Sequence, residues 1–135
     1  MANLEQALSN LERAMAELES YVALPIVHRR DKAGLIQAFE FTFELFWKIF
    51  QKLAPDAGLN AVSPREALLA GTKLHLIADA ERDHWAQMLL DRNMTSHTYN
   101  APVADEILAR LLSFYLDCFR ATLLRTRRLI STTPE

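Results

Sequence analysis

The residues of this chain best suited to chemistry lie in one stretch, Asp91-Arg92-Asn93-Met94-Thr95-Ser96-His97-Thr98-Tyr99. An Arg, an Asn, a His and a Tyr fall within eight residues, between two apolar, helix-patterned segments. Arg is a permanent, fork-shaped cation that matches phosphate oxygens. His is the side chain suited to giving and taking protons near neutral pH. Arg92 and His97 are five positions apart, which on an unbroken helix is about 140° of rotation. One continuous helix would point them at different neighbours. The run Asn-Met-Thr-Ser is poor in helix formers, so the helix is expected to end there, and the turn can bring both side chains to one place. Spacing alone leaves two readings open. Arg92 could donate to carbonyls at a helix end while His97 fills a turn, or the two could handle a phosphate together.

The elements that would position them are helices. Leu4, Ala7, Leu8, Leu11, Met15 and Leu18 recur at three and four, predicting a first helix over residues 3–21. Pro25 ends it, Val27 to Arg30 reads as a linker that takes in His28, and Asp31 is the expected N-cap of the second helix. From Ile36 to Leu53, 11 of 18 residues are apolar, including six of the twelve aromatics. They fall on two stripes. Ile36, Phe39, Phe43, Phe46, Phe50 and Leu53 form one, while Ala38, Phe41, Leu45 and Ile49 form the other. The remaining wedge holds Gln37, Glu40, Glu44, Lys48 and Gln51, with Glu44 placed to pair with Lys48 one turn on. A surface helix needs one apolar stripe. The second predicts either a central helix or a homodimer through Phe41, Leu45 and Ile49, and the dimer is the preferred expectation.

Ser63-Pro64-Arg65-Glu66 signals the start of a short third helix ending near Leu74 and His75. A fourth opens near Asp79 and turns Trp85, Met88 and Leu89 inward. Asn100 is the expected cap of the last, with Pro102 in its first turn and an apolar stripe of Val103, Ile107, Leu111, Phe114, Cys118 and Ala121. Arg120, Arg125, Arg127 and Arg128 make its far end basic, and a disordered tail is expected from about residue 130 to 135. The predicted fold is all-α: one domain over residues 1–135, an antiparallel up-and-down four-helix bundle with one short extra helix.

Composition narrows the function. The chain is 50% hydrophobic and 24% charged, ordinary for a globular domain. A net charge of -2 gives the whole molecule no electrostatic pull on nucleic acid, which argues against a bulk binder and against DNA. A small basic site remains compatible, since screening confines charge effects to about 10 Å. The single cysteine, Cys118, suits a reducing compartment, and no run is long and apolar enough to span a membrane. Met1 to Ser20 is charged and amphipathic, unlike a secretion signal. A cytoplasmic location is expected.

Other chemistries lack their residues. A di-metal bundle needs two Glu-x-x-His pairs, and only Glu81 to His84 has that spacing. Gly34, Gly58 and Gly71 are scattered, so no phosphate-cradling loop is expected. Cys118 lies on an apolar stripe and reads as core. No metal or cofactor is expected.

Arg92, four residues, His97, one residue, Tyr99 resembles the R-x4-H-x-Y motif of HEPN-domain proteins. The wider string from Trp85 to Tyr99, and Phe39 to Lys48 in the second helix, are similar to the nucleotidyltransferase substrate-binding branch of that family. The resemblance spans roughly residues 30–125. It implies a metal-independent endoribonuclease, the toxin of a two-gene toxin–antitoxin pair. Arg92 and His97 would be catalytic, with Asn93 assisting. It further implies RNA as substrate, a separately encoded small nucleotidyltransferase as partner, and Tyr99 as the residue that partner adenylylates. The alternative is a non-catalytic substrate-binding or interaction subunit of a nucleotidyltransferase complex.

Overall fold

The computed structural model describes residues 2–132. Helix α1 spans Ala2–Val22, α2 Arg29–Leu53, α3 Pro64–Lys73 and α4 Arg82–Asn93. The last rod consists of α5 (Ala101–Arg110), a π turn (Leu111–Tyr115) and α6 (Leu116–Thr132). No strand occurs among the described residues. The result is the expected helical bundle, with α3 as the short extra helix.

Helix α2 is its centre. Phe39, Phe43, Phe46 and Phe50 are fully buried on one side. They meet Trp85 of α4 and Phe119 of α6 in a continuous aromatic cluster, Phe46 and Phe119 stacking at 5.1 Å and Phe46 meeting Trp85 edge-on at 5.3 Å. Rings at these separations add to the burial of their large apolar surfaces. Leu11, Met15 and Leu18 of α1 complete the core from the other flank. Gly71 of α3 permits close approach, because a Cβ there would come within 3.1 Å of Phe50 and Ile77.

Several local expectations change. Helix α2 begins before Asp31, with His28 as its N-cap. Asp31 sits at the third position, where its carboxylate accepts the His28 and Val27 amides at 2.7 and 2.9 Å. Those bonds stabilise the charged form and hold its carboxyl below the usual range. Asn100 does cap α5 by position, with no side-chain bond, while Ser63 caps α3 by accepting the Glu66 amide. Part of the expected tail is helical: α6 runs to Thr132, and residues 133–135 lie outside the described residues.

The expected stripe of the last helix fails at Phe114. In the π turn, the Leu116 amide donates to the Leu111 carbonyl five residues back. This wider winding brings Tyr115 inward, fully buried, and leaves Phe114 47% exposed, stacked on His84. Phe39 packs against the Tyr115 ring at 5.6 Å. Single π turns inside α-helices often lie near functional sites. This one contributes directly to the end of α4.

The second stripe of α2 is also corrected. Ile49 is fully buried within the chain, so it belongs to the core and cannot form a dimer surface. Ala38 is buried as well, and Leu45 is half-buried. Phe41 stays 57% exposed. The stripe is thus mostly satisfied by packing within one chain.

Candidate active site

The C-terminal turn of α4 carries the motif. Asp91 closes the buried side of the helix and is 3% exposed. Arg110 grips it through two bonds of 2.8 Å, from Nε to Oδ2 and from Nη2 to Oδ1. The Tyr115 hydroxyl donates to Oδ2, and Gln87 donates to Oδ1 at 3.2 Å. Every lone-pair direction of the buried carboxylate is therefore occupied, which is the condition for keeping such a charge inside a fold. Burial first, and then the Asp91 bond, push the Tyr115 phenol well above its ordinary value. The Arg110 guanidinium is held charged by the same carboxylate.

Asp91 faces in, and Arg92 lies at the edge of solvent. Its Nε donates to Glu44 Oε1 of α2 at 2.9 Å, and Nη2 pairs with the same oxygen. Trp47 Nε1 donates to the other oxygen of Glu44. Nη1 of Arg92 reaches Asn93 Oδ1 at 3.3 Å. The partner of Glu44 is therefore Arg92, 48 residues away, in place of the expected Lys48 on the same helix. Side chains of both are roughly a quarter to a third exposed, 26% for Glu44 and 31% for Arg92.

The helix ends where the composition predicts. Met94 caps α4, and Thr95–His97 forms one 3-10 turn. Thr95 Oγ1 bonds the Arg92 carbonyl at 2.8 Å, the His97 amide bonds Met94 and the Asn100 amide bonds His97. These bonds satisfy carbonyls that the helix end would leave open. His97 is exposed, with its imidazole free of hydrogen bonds among the described residues. Its ring lies edge-on to Tyr99, centroids 6.0 Å apart. Tyr99 is 78% exposed, and Asn93 is exposed as well. Arg92, Asn93, His97 and Tyr99 thus lie along the segment from the end of α4 to the start of α5, with Arg92 bonded to Glu44 and Asn93, His97 and Tyr99 open to solvent.

The single Glu-x-x-His pair is otherwise engaged. Glu81 is bridged by both terminal nitrogens of Arg125 at 2.7 and 3.2 Å, and His84 stacks on Phe114. The basic end of α6 is similarly answered, Arg127 by Glu12 and Arg120 by Glu19. Among the described residues no group of three or more His, Cys, Asp and Glu is placed to hold a metal ion. Cys118 is buried, and burial pushes its thiol up to about 11. No helix of the described residues is long and apolar enough to cross a membrane.

Sequence reasoning missed Glu44, Arg110 and Tyr115 as supports. A weak signal existed for the last two: an acid beside the motif arginine needs a buried partner if it faces inward.

The structure is thus an all-helical bundle that carries an Arg, a His and a Tyr along the segment between its fourth helix and its last rod. The sequence of residues 1–128 matches the family described as nucleotidyltransferase substrate binding protein like, and the chain belongs to that family. It is 30% identical over 123 residues to a protein of Haemophilus influenzae named "Probable ribonuclease HepT", spanning 84% of this chain and 83% of that protein. Its fold is similar to a crystal structure of a Thermus thermophilus protein. That likeness has a TM-score of 0.77 at 35% identity, covering 87% of this chain and 98% of the other.

Proposed function

We propose that this protein is a metal-independent endoribonuclease, the toxin of a two-gene module silenced by a partner nucleotidyltransferase. The observation that carries the reading is the exposed Arg92–His97 turn, anchored from inside by Asp91. His97 takes the proton of a ribose 2′-hydroxyl, whose oxygen attacks the adjacent phosphorus. Arg92 holds the non-bridging oxygens and offsets charge gathering on them in the transition state. Asn93 helps orient the phosphate. The 5′-oxygen leaves with a proton, giving a 2′,3′-cyclic phosphate and a 5′-hydroxyl. The family match and the ribonuclease name of the Haemophilus influenzae relative support this assignment.

One histidine is few for work at both the attacking and leaving oxygens. A homodimer with two turns facing one cleft supplies the second. Its candidate face is Phe41 and Leu45, which line a groove between α1 and α2 that reaches Glu44, the partner of Arg92. Silencing follows from Tyr99. Its exposed hydroxyl attacks the α-phosphate of ATP on the partner enzyme, pyrophosphate leaves, and AMP remains esterified beside Arg92. The added phosphate and base then exclude RNA by charge and bulk.

Expression in a bacterial host tests the assignment. Growth arrest and RNA cleavage by the wild type, lost in Arg92→Ala and His97→Ala, support it. Equal growth of all three favours the non-catalytic subunit that presents substrate to a transferase.

A further inference from the structure

A cleft opens next to the motif turn, between the first turn of α2 and the start of α5. Arg29, Lys32, Ile36, Thr98, Tyr99 and Asp105 are among the residues lining it. Arg29 is exposed and has no ion-pair partner among the described residues. Lys32 is held by Asp105 at 2.8 Å, which fixes its ammonium at the cleft wall while its side chain stays 39% exposed. Tyr99 lines it from the motif segment. Most of the phenol ring is open to solvent, and its other neighbour is the His97 ring. The cleft therefore brings an exposed aromatic ring that neighbours His97 together with two cations of α2, one of them paired with Asp105.

None of this is used by the two-residue chemistry at Arg92 and His97. Exposed aromatic faces beside cations that track a backbone are how proteins hold single-stranded nucleic acid without reading its sequence. A tyrosine left open to this degree loses the burial that normally stabilises its ring. The placement is explained if a base covers it.

We infer that Tyr99, Arg29 and Lys32 form a nucleotide subsite for single-stranded RNA. A base flanking the scissile phosphate stacks on Tyr99, and the next phosphate lies against Arg29 and Lys32. The inference rests on the ribonuclease reading and names where its substrate continues. It also gives the slightly acidic chain the local basic footing that its net charge of -2 lacks. An adenylyl group on the Tyr99 hydroxyl would then sit at the edge of the ring on which the substrate base stacks.

The test measures binding of a fluorescein-labelled, unstructured RNA decamer to the His97→Ala protein by fluorescence anisotropy, over a series of salt concentrations. Tyr99→Ala on that background is expected to weaken binding about 5- to 150-fold, the range of one lost base stack, and Tyr99→Phe to remain within about 3-fold. Arg29→Ala with Lys32→Ala is expected to flatten the slope of log affinity against log salt by about 0.7, for one phosphate neutralised on a single strand. Circular dichroism of each variant monitors the fold, and all three positions lie at the surface. Unchanged affinity and slope in these variants overturn the subsite. If the wild type still cleaves RNA in that case, the ribonuclease reading survives alone. Binding through Tyr99 and Arg29 with no cleavage by the wild type supports the subsite and removes the ribonuclease. A protein that binds ATP or AMP at this cleft and no RNA overturns the inference as well.

Discussion

Glu44 accepts two bonds from Arg92 through one carboxylate oxygen, joining the central helix α2 to the last turn of α4. Trp47 holds the other oxygen. The guanidinium is thus fixed at one edge, with Nη1 directed to Asn93. A cation that must meet a phosphate at a defined angle gains from such support, because misplacement by about 1 Å can cost on the order of 100-fold in rate. Glu44→Ala is expected to lower single-turnover cleavage by about 10- to 100-fold. Glu44→Gln, which keeps an acceptor, should recover part of the loss. A rate equal to wild type in Glu44→Ala would show that Arg92 needs no such partner.

Asp91 supplies the inner anchor. Removing one partner of a buried, fully bonded ion pair leaves the other charge unmet, at about 3–5 kcal/mol. Arg110→Ala is expected to destabilise the fold by an amount of that order in urea unfolding, less to the extent that the 30% exposed guanidinium site admits water to Asp91. Tyr115→Phe, which removes one of four bonds to Asp91, should cost about 1.5–3 kcal/mol. Changes below about 0.5 kcal/mol in both, the size of an ordinary surface substitution, would mean that Asp91 is not held as described.

Cys118 makes stability depend on alkaline pH. Its folded pKa of about 11 lies above the value near 9 of a free thiol. Above pH 9 the unfolded chain releases a proton that the folded chain retains, so stability present below pH 9 falls progressively to about pH 11. Tyr115 acts in the same direction at higher pH. Thermal unfolding at pH 7 and pH 10.5 is expected to show a smaller drop in Cys118→Ala than in wild type. Equal drops would assign alkaline lability elsewhere.

The proposed dimer separates two classes of residue on one helix. Phe41→Glu with Leu45→Glu should give monomers of unchanged helicity in sedimentation and circular dichroism. Ile49→Glu should unfold the chain, since Ile49 has no exposure at all. Wild type sedimenting as a monomer at micromolar concentration would rule the dimer out.

Much of this fold is legible in the sequence because its signals are local. The stripe from Ile36 to Leu53 shows helix α2 by itself, Ser63-Pro64 starts α3, and Asn-Met-Thr-Ser ends α4 where the composition is poor in helix formers. The supports of the site are not local. Glu44 has two cations within reach, Lys48 by sequence and Arg92 by fold, and only packing of α2 on α4 decides between them. Asp31 looks like a cap, yet it acts from the third position, since two upstream amides point at its carboxylate. Phe114 and Tyr115 are both acceptable inward neighbours of Leu111 at helical spacing, and the π turn selects Tyr115. Ile49 sits on a stripe that two partners could cover, and the chain itself covers it.

The π turn links the winding of the last rod to the motif turn. Adding or losing one residue in an ordinary helix rotates everything beyond it by about 100°, carrying the buried face into water. Leu112, Ser113 and Phe114 are three exposed residues in succession between buried Leu111 and Tyr115. One of them is the extra residue that widens the turn from α to π. A chain shortened by Ser113 is expected to close that turn into ordinary α winding, with Ile107 on one side and Phe119 on the other still facing the core. What it gives up is the aim of the Tyr115 hydroxyl at Asp91. The winding at this point is therefore tied to the buried carboxylate of Asp91, and losing it costs the fold the bond that Tyr115 donates there.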